Sequence, residues 1–418
     1  MKKYLKKEKT IIYILIVTFI LRIIWICTIK AYPVSDFKLI YDTGQKVASG
    51  NFTGFYGHNY FERFPHDSIT VLYFALLFKI SKYPLFLLKF LNCIYGTASV
   101  YLIYKIGIRI YNKKLGVITA ILLTCFPPFI IYTAEAMAEN MAIPLFLYSI
   151  LLFIRFVQED NSLILILSGI FLGLGDLFRP VGEVVIIAYI IYYLANVFLY
   201  KRGKIKTSII KIVILIITFI LPTICISNIL VNKKILENQL WNPGEPTIVT
   251  VLIGTNFNTI GAWNKEDSAI PKDYDYNKVL IEKASREKII RRFKNHTPLE
   301  IIKFYGEKIG LQWGIGDFGA CGWVINNNEP IVATDNFAIV MTVISWIYYL
   351  ILLIFSIIGI KNLKNKFNLE ILFFIIILLG FIGFYMITER QSRYAFVIAW
   401  IFPILAAWGI VDRVRIEF

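Results

Sequence analysis

The stretch IIYILIVTFILRIIWICTI, residues 11–29, is apolar over the length of about 20 residues that an α-helix needs to cross a bilayer. It follows the basic segment MKKYLKKEK and has no small-residue cleavage site, so we expect a retained membrane anchor rather than a removed signal peptide. Similar runs recur along the 418-residue chain, which is 57% hydrophobic and has a mean hydropathy of +0.65. These features predict an all-α, polytopic membrane protein.

The spacing of the apolar runs predicts about ten transmembrane helices. A further apolar run at residues 68–80 is too short to cross the bilayer, and we interpret it as an interfacial or re-entrant helix. The predicted transmembrane helices occupy residues 11–29, 84–104, 115–132, 140–157, 162–178, 183–199, 207–230, 337–360, 369–388 and 394–412.

Clusters of Lys and Arg between the apolar runs predict the sides of the loops, because basic loops are retained on the cytoplasmic side. The predicted inner segments are residues 1–9, 105–114, 201–206 and 361–366. The predicted outer segments are residues 31–67, 134–140, the turn at Arg179 and Pro180, and residues 231–335 and 388–393. We therefore expect a multi-pass protein of the plasma membrane with a cytoplasmic N-terminus. The net charge is +16, but many of the basic residues flank the apolar runs instead of forming one patch. No nucleic-acid partner is therefore expected.

The chain is predicted to have three parts: an N-terminal transmembrane module (1–230), an extracytoplasmic loop region (231–335) and C-terminal transmembrane helices (336–418). The loop region contains a basic helical pattern at residues 277–309, which would suit a helix lying along the membrane surface. A substrate-guiding helix and a simply solvated outer helix both remain open. The expected apolar face comprises Val279, Leu280, Lys283, Ala284, Ile289, Ile290 and Phe293.

The first outer loop contains a predicted amphipathic helix at residues 35–49, with Ser35 as its N-cap and Asp36 in its first turn. The helix dipole is expected to favour the ionised form of Asp36, which makes it a candidate proton acceptor. Asp42 falls on a different side of the helix. The alternative for Asp36 is a simple N-terminal helix charge.

The segment HNYFERFPHD, residues 58–67, concentrates polar side chains in a chain with only 17% charged residues. With the preceding helix it resembles the first outer loop of GT-C fold glycosyltransferases, especially the branch with the lipid A aminoarabinose transferase and the dolichyl-phosphate-mannose protein mannosyltransferases. Tyr60, Phe61 and Glu62 match a Tyr-Phe-Glu-Lys-Pro-like motif, while Arg63 replaces its lysine and Phe64 separates Arg63 from the proline. The alternative is a polar turn before an interfacial helix.

Two departures limit the resemblance. The family often has an acidic pair at the catalytic position, whereas Asp36 is followed by Phe37, so no second acidic residue is assigned. No Trp-Trp-Asp signature appears, so the resemblance is not expected to extend to oligosaccharyltransferases.

The resemblance implies transfer of a sugar from a polyprenyl-phosphate donor to an acceptor hydroxyl on the outer face, with Asp36 as general base of an inverting reaction. Arginines would stabilise the departing phosphate. Arg63 is the first candidate, because it matches the family's lysine. Arg179, Arg390 and Arg393 are weaker candidates that could equally be snorkelling or ion-paired residues.

Other side chains are expected at the rim of the site. Glu135 and Glu139 could share a helix face and either orient a sugar or pair with arginines, with pairing preferred. Glu62 could orient Arg63, or hold a divalent cation together with nearby histidines; no metal site is assigned. Arg22, inside the first span, suggests either function or an acidic partner on a neighbouring span. The expected rim residues are Tyr60, Glu62, His58, His66, Glu135 and Glu139.

Donor sugar and acceptor are not readable from the sequence; an envelope polymer, a glycolipid and a protein are all open as acceptors. A transporter or lipid flippase is one alternative function, although the paired interrupted spans of such proteins are not apparent. A polysaccharide polymerase or ligase is another.

Overall fold

The computed structural model describes residues 2–200, 205–325, 335–364 and 366–413, and every regular element in these ranges is helical. Three short 3₁₀ helices lie at Thr53–Phe55, Tyr132–Ala134 and Ser392–Ile398. The α-helices are α1 (Lys2–Thr28), α2 (Ser35–Ala48), α3 (Tyr60–Arg63), α4 (Asp67–Ile80), α5 (Pro84–Ile110), α6 (Lys113–Thr124), α7 (Pro127–Ile131), α8 (Glu139–Glu159), α9 (Ser162–Phe178), α10 (Gly182–Tyr200), α11 (Ile205–Asn232), α12 (Ile248–Gly254), α13 (Lys265–Ser268), α14 (Ile270–Asp273), α15 (Lys278–Lys294), α16 (Pro298–Trp313), α17 (Ala320–Val324), α18 (Asp335–Asn362), α19 (Leu369–Ile387) and α20 (Ile401–Ile410).

Seven helices in the described ranges are long and apolar enough to cross a membrane: α1, α5, α8, α10, α11, α18 and α19. Two bent pairs raise the number to nine if each pair is one span, and α9 is a shorter apolar helix. The predicted all-α polytopic membrane fold is therefore confirmed. Ten straight spans were expected. Two of them are bent pairs of helices, and a third, α9, is shorter than the rest.

The first of the two bends has a local cause in the sequence. α6 ends at Thr124, and the chain turns by 65° before the segment Pro127–Ala134. Pro127 and Pro128 have no amide hydrogens and cannot continue the hydrogen bonding of α6, so they start a new helix instead. The second bend, of 59°, separates Ser392–Ile398 from α20. The expected continuous helices at 115–132 and 394–412 are thus each broken near the site described below.

The loops predicted to be inner meet at one end of the helix bundle. Arg109 Nη1 lies 3.0 Å from Glu159 Oε1, which joins the ends of α5 and α8. Asn368 Nδ2 donates a hydrogen bond to the Ile110 carbonyl at 3.3 Å, and Lys366 Nζ lies 3.2 Å from Asp412 Oδ2. Of the predicted inner segment 201–206, residues 201–204 lie outside the described residues. The predicted inner segments 105–114 and 361–366 are therefore at the same end of the bundle.

Helix packing in the bundle depends on small residues and buried hydroxyls. Ser149 on α8 donates to the Ser168 carbonyl on α9 at 2.7 Å and lies 2.8 Å from the Tyr189 hydroxyl on α10. A Cβ on Gly107 would lie 2.6 Å from the Gly116 Cα, so α5 and α6 approach closely only because both residues are glycines. Such contacts are typical of helices packed in lipid.

Large apolar side chains on α1, α11 and α18 are exposed, as expected of helices that face lipid. The other side of α1 is buried and includes Arg22, which is fully enclosed. Its Nη1 donates to the Thr18 carbonyl at 3.1 Å, and its Nε lies close to Gly96 on α5. The expected acidic partner of Arg22 is not found among the described residues.

The amphipathic helix predicted in the first outer loop is present as α2, but its start differs from the expectation. Ser35 has a φ of +49° and caps no amide; Val34 occupies the N-cap position without a side-chain hydrogen bond. α2 packs on α4 rather than resting only on the bilayer, and Gly44 lies against Phe74 at this contact. α4 is the short helix predicted at residues 68–80.

The basic pattern at residues 277–309 forms two helices, α15 and α16. Thr297 and Glu300 form a capping box at the start of α16, with Pro298 in the first turn, and this ends the continuity of the pattern. On the expected apolar face of α15, Val279 is 74% exposed, and the contact of this face with the membrane surface stays a prediction. The buried face instead carries Ile281 and Ser285.

The same face of α15 also contacts a buried carboxylate. Arg292 Nη2 donates to both oxygens of Asp267 at 2.7 and 2.8 Å, and Lys288 Nζ lies 2.9 Å away. Asn256 Nδ2 donates to the same carboxylate at 2.8 Å. Despite its burial, these hydrogen bonds lower the pKa of Asp267 to about 2. Polar pairing with Asp267 and apolar packing of Ile281 against α12 therefore both fix α15.

Candidate active site

Asp36 lies in the first turn of α2 and is half-buried. Burial raises the pKa of its carboxyl; the positive charge of Arg393 lowers it and the negative charge of Asp67 raises it again. The direction of this shift is opposite to the one expected from the helix dipole. No side chain in the described part of the chain donates a hydrogen bond to Asp36, so both of its oxygens can accept a proton or a hydroxyl group.

Two further carboxylates, Asp67 and Glu389, lie near Asp36. The charge of Asp67 raises the pKa of Asp36, and the charge of Asp36 raises the pKa of Glu389. Each is joined to a tyrosine: the Tyr60 hydroxyl is 3.3 Å from Asp67 Oδ2, and the Tyr394 hydroxyl is 3.4 Å from Glu389 Oε1. Burial raises the pKa of Glu389. Sequence reasoning assigned no second acidic residue, although Asp67 is in the polar segment 58–67.

Arg393 is the most enclosed cation of this cluster, with 6% of its surface exposed. Its guanidinium carbon lies 4.5 Å from the ring centre of Phe37, 4.9 Å from Trp323 and 5.4 Å from Tyr394. Its Nε and Nη1 are buried and have no hydrogen-bond partner within the described ranges. A buried guanidinium with unpaired N–H groups is costly unless an anion binds it.

Arg179 follows the end of α9 and approaches the same cluster. Its guanidinium carbon lies 4.9 Å from the ring centre of Tyr394, so two arginines lie within cation–π distance of this ring. Arg179 Nε lies 3.4 Å from Glu139 Oε1 in an ion pair that is not an aligned hydrogen bond. The preferred interpretation of Glu139 as a partner of an arginine agrees with this contact.

The other two candidate arginines already have partners. Arg63 donates to Glu245 Oε2 through Nη2 at 2.5 Å and through Nε at 3.0 Å. Arg390 donates to the Ile260 carbonyl through Nε at 2.9 Å, and its amide donates to the Gly261 carbonyl at 2.7 Å. Arg63 thereby joins the first outer loop to the loop region after α11, and Arg390 joins the turn after α19 to the same region.

Glu62 does not orient Arg63. Its Oε1 accepts a hydrogen bond from Asn238 Nδ2 at 2.9 Å, and its carbonyl accepts one from the Gly244 amide at 3.0 Å. His58 stacks on Tyr276 with a distance of 4.1 Å between ring centres. Glu62 and His58 therefore both contact the loop region after α11.

His66 Nε2 lies 3.7 Å from Asp67 Oδ1. Within the residues that the structure describes, no group of three or more His, Cys, Asp and Glu side chains could hold a metal ion.

Glu135 is only 1% exposed, and burial raises its pKa to about 8. Its Oε1 accepts a hydrogen bond from the Ala136 amide at 3.0 Å, and its Oε2 has no partner in the described part of the chain. Because α8 begins at Glu139, Glu135 lies outside the helix. The expected shared helix face of these two residues is therefore wrong.

A groove on the molecular surface is lined by none of the charged residues of this cluster. It has a volume of about 560 Å³ and lies between the end of α1 and the start of α5. Lys30, Lys82 and Lys89 line it, together with apolar and tyrosine side chains. Tyr41 of α2 lines the groove but Asp36 does not, so the groove is not part of the candidate active site around Asp36 and Arg393.

Comparison with known families gives one match in sequence. The family model described as dolichyl-phosphate-mannose-protein mannosyltransferase matches residues 69–226. This range covers α4 and most of the N-terminal module, including Arg179, but neither Asp36 nor Arg393. A search of curated proteins gave no match.

Solved structures extend the likeness to nearly the whole chain. The oligosaccharyltransferase AglB from Archaeoglobus fulgidus, in complex with an inhibitory peptide and a dolichol-phosphate, matches 98% of this chain and 50% of its own at 14% identity, with a TM-score of 0.56. The apo form of the Archaeoglobus fulgidus oligosaccharyltransferase matches 98% of this chain and 51% of its own at 14% identity, with a TM-score of 0.53. The chain therefore spans about half the length of these proteins.

ArnT from Cupriavidus metallidurans bound to undecaprenyl phosphate matches 97% of this chain and 77% of its own at 11% identity, but with a TM-score of only 0.39. The likeness to an oligosaccharyltransferase is one of fold, at 14% identity, so the expectation that the motif resemblance stops short of that class stays a prediction. The shared feature is the fold, which the missing Trp-Trp-Asp signature does not affect. In family model and in fold, the chain is similar to the GT-C fold membrane glycosyltransferases, as its sequence predicted.

Proposed function

We propose that the protein transfers a sugar from a polyprenyl-phosphate donor to an acceptor hydroxyl at the outer face of the plasma membrane. One observation carries the proposal: Asp36, a carboxylate without a hydrogen-bond donor in the described ranges, is close enough to Arg393, a buried guanidinium with unpaired N–H groups, for that positive charge to lower its pKa. A proton acceptor and an anion-binding group therefore belong to one cluster. Sugar transfer from a lipid phosphate requires both.

In the proposed reaction the acceptor oxygen attacks the anomeric carbon of the sugar while Asp36 takes the hydroxyl proton. The bond between the anomeric carbon and the phosphate oxygen breaks, and its electron pair leaves with the polyprenyl phosphate. The configuration at the anomeric carbon is inverted in this single displacement. A carboxyl pKa above the ordinary value makes Asp36 a better base, provided that the pH keeps it ionised.

Arg393 and Arg179 are the preferred groups for the departing phosphate. Phosphate oxygens would satisfy the N–H groups of Arg393 that the protein leaves unpaired, and a guanidinium can bind phosphate through two hydrogen bonds. Arg63 and Arg390 rank lower because Glu245 and backbone carbonyls already accept their hydrogen bonds. This reverses the order expected from the match of Arg63 to the family motif.

Two findings support a polyprenyl-phosphate donor. The family model that matches residues 69–226 is named for a dolichyl-phosphate-linked sugar, and the AglB structure contains a dolichol-phosphate. The acceptor hydroxyl belongs to an envelope polymer, a glycolipid or a protein.

The test is transfer by the purified protein in nanodiscs, supplied with a panel of radiolabelled polyprenyl-phosphate sugars and envelope extracts. Asp36→Asn should lower kcat by about 10²-fold or more, because it removes the general base. Asp42→Asn is the matched control, since Asp42 is on the same helix, exposed and paired with Lys38. Arg393→Gln should raise the donor KM. Movement of lipid across vesicles that does not require Asp36 would instead support a transporter, and elongation of a polymer without a lipid-monophosphate donor would support a polymerase.

A further inference from the structure

Lys308 on α16 is a buried cation that the proposed chemistry does not use. It is 1% exposed, and its Nζ donates to three backbone carbonyls: Gly254 at 2.5 Å, Met386 at 2.9 Å and Thr388 at 2.8 Å. The first carbonyl ends α12, and the other two end α19. One ammonium group, with three N–H bonds and three acceptors, therefore joins three helices.

The turn after α19 leads directly into the candidate active site. It carries Glu389, and Arg393 follows within the 3₁₀ helix. α16 makes a second contact with this turn, because Gln312 Nε2 donates to the Gln391 carbonyl at 2.8 Å. The loop after α12 makes a third, because the Arg390 amide donates to the Gly261 carbonyl at 2.7 Å.

The contacts at Lys308 leave little freedom. Gly261 has a φ of +72°, and a Cβ on this residue would lie 2.8 Å from Lys308 Cε. Polar cations are seldom buried without a carboxylate bonded to them, and here backbone carbonyls take that place. The charged groups that face Lys308 from the turn are Arg390 and Glu389, whose effects oppose each other.

We propose that Lys308 is a positioning residue: its ammonium group fixes the turn at residues 386–391 to the outer helices and thereby holds Glu389 and Arg393 in place for the donor phosphate. This proposal rests on the proposed function for its effect on catalysis, but not for its effect on the turn. It also links the outer loop region to the transmembrane site through one side chain.

The proposal has a pH consequence in addition to its geometric basis. Burial, reinforced by Arg390, lowers the pKa of Lys308 to about 7. As the pH rises through this value the ammonium becomes an amine and loses one N–H donor, so the turn should loosen. A sugar–phosphate diester does not titrate in this range, so a rise of the donor KM above neutral pH is expected from Lys308.

The first test measures the turn directly by hydrogen exchange with mass spectrometry on the full-length protein in nanodiscs. Peptides covering residues 386–393 should exchange faster in Lys308→Met than in the wild type. Lys303→Met is the matched control, because Lys303 is on the same helix and 75% exposed, and it should change nothing. If Lys308→Met does not fold, Gln312→Ala serves in its place. Unchanged exchange of these peptides in a folded variant would overturn the proposal.

The second test uses transfer activity. Lys308→Met should raise the donor KM about tenfold or more, with a smaller change of kcat, because the arginine that binds phosphate is displaced. Lys308→Arg, which stays charged, should recover part of the affinity and remove the rise of KM above neutral pH. A wild-type KM that is constant from pH 6 to pH 8.5 would overturn the role of the ammonium. Loss of all wild-type transfer would instead refute the proposed function, and the exchange test would still stand.

Discussion

At the level of single residues, the environment of Asp36 differs from what its position in the sequence suggests. The start of a helix favours a negative charge, yet burial raises the pKa of this carboxyl. The sequence identifies Asp36 because it is an acidic residue at the start of an amphipathic helix. It cannot reveal the burial, because the groups that enclose Asp36 come from other parts of the chain.

The ranking of the arginines shows the same limit. Arg63, Arg179 and Arg393 are all recognisable as cations at the ends of apolar runs. Which of them is available to a ligand depends on its partners, and Glu245 is far from Arg63 in sequence. No local pattern predicts that contact. The motif match therefore favoured Arg63, whereas the unpaired N–H groups favour Arg393.

The pair Asp36 and Asp67 leads to a prediction for the pH dependence of transfer. Asp36 must be ionised to accept a proton, so activity should fall as the pH falls through its raised pKa. Asp67→Asn removes a negative charge that raises this pKa. The pKa of Asp36 should then decrease, and the acid limb of the profile of kcat against pH should move to lower pH.

The measurement is kcat for transfer between pH 4.5 and 8 at saturating donor. Asp42→Asn serves as the control because Asp42 is exposed and should leave the acid limb in place. An acid limb that stays in place in Asp67→Asn, or moves to higher pH, would contradict the assignment of Asp36 as the base.

At the level of helices, hydrophobic patterns predicted the elements well and their ends poorly. α2 and α4 are present where amphipathic or short apolar patterns indicated them. The predicted N-cap at Ser35 is wrong because the chain enters α2 with an unusual backbone at that residue. The pattern at 277–309 is divided because Thr297, Pro298 and Glu300 start a new helix, a signal that was readable in the sequence.

The contact of α2 with α4 leads to a prediction about stability, because α2 carries Asp36. A Cβ on Gly44 would lie 2.8 Å from Phe74 Cβ, which real contacts do not permit, so the helices would have to separate. Gly44→Ala should therefore lower the stability by about 1–3 kcal/mol through overpacking. It should also lower transfer activity.

Gly306→Ala is the matched control, because no atom lies within 4 Å of a Cβ at this position on α16. It should raise the stability by about 0.5–1 kcal/mol through its higher helix propensity. The apparent melting temperature in detergent compares both variants with the wild type. Equal melting temperatures for Gly44→Ala and the wild type would show that α2 and α4 are not in this close contact.

At the level of the whole molecule, hydropathy and the distribution of basic loops predicted most of the architecture. Two of the predicted inner segments, 105–114 and 361–366, lie at one end of the bundle, which agrees with the charge rule. The site at the other end combines Asp36, Arg179 and Arg393, which are distant in sequence. Spacing could nominate these residues separately, but only the packing of the helices shows that they meet.

The positive-inside rule predicts the absolute orientation of the bundle, and the proposed use of a lipid-linked donor depends on this prediction. Gln45 on α2 and Lys364 after α18 are exposed in segments that the rule assigns to opposite sides. In a variant without its five native cysteines, a cysteine at position 45 should react with a membrane-impermeant maleimide in intact cells. A cysteine at position 364 should react only after the membrane is permeabilised.

The two positions control for each other, because a reagent that leaks into the cell would label both. The opposite pattern, with position 364 labelled in intact cells and position 45 protected, would place Asp36 on the cytoplasmic side. The acceptor would then have to be cytoplasmic, and a sugar carried across the bilayer on a lipid would not be needed. Labelling of position 45 alone is thus the result that the proposed function requires of the whole molecule.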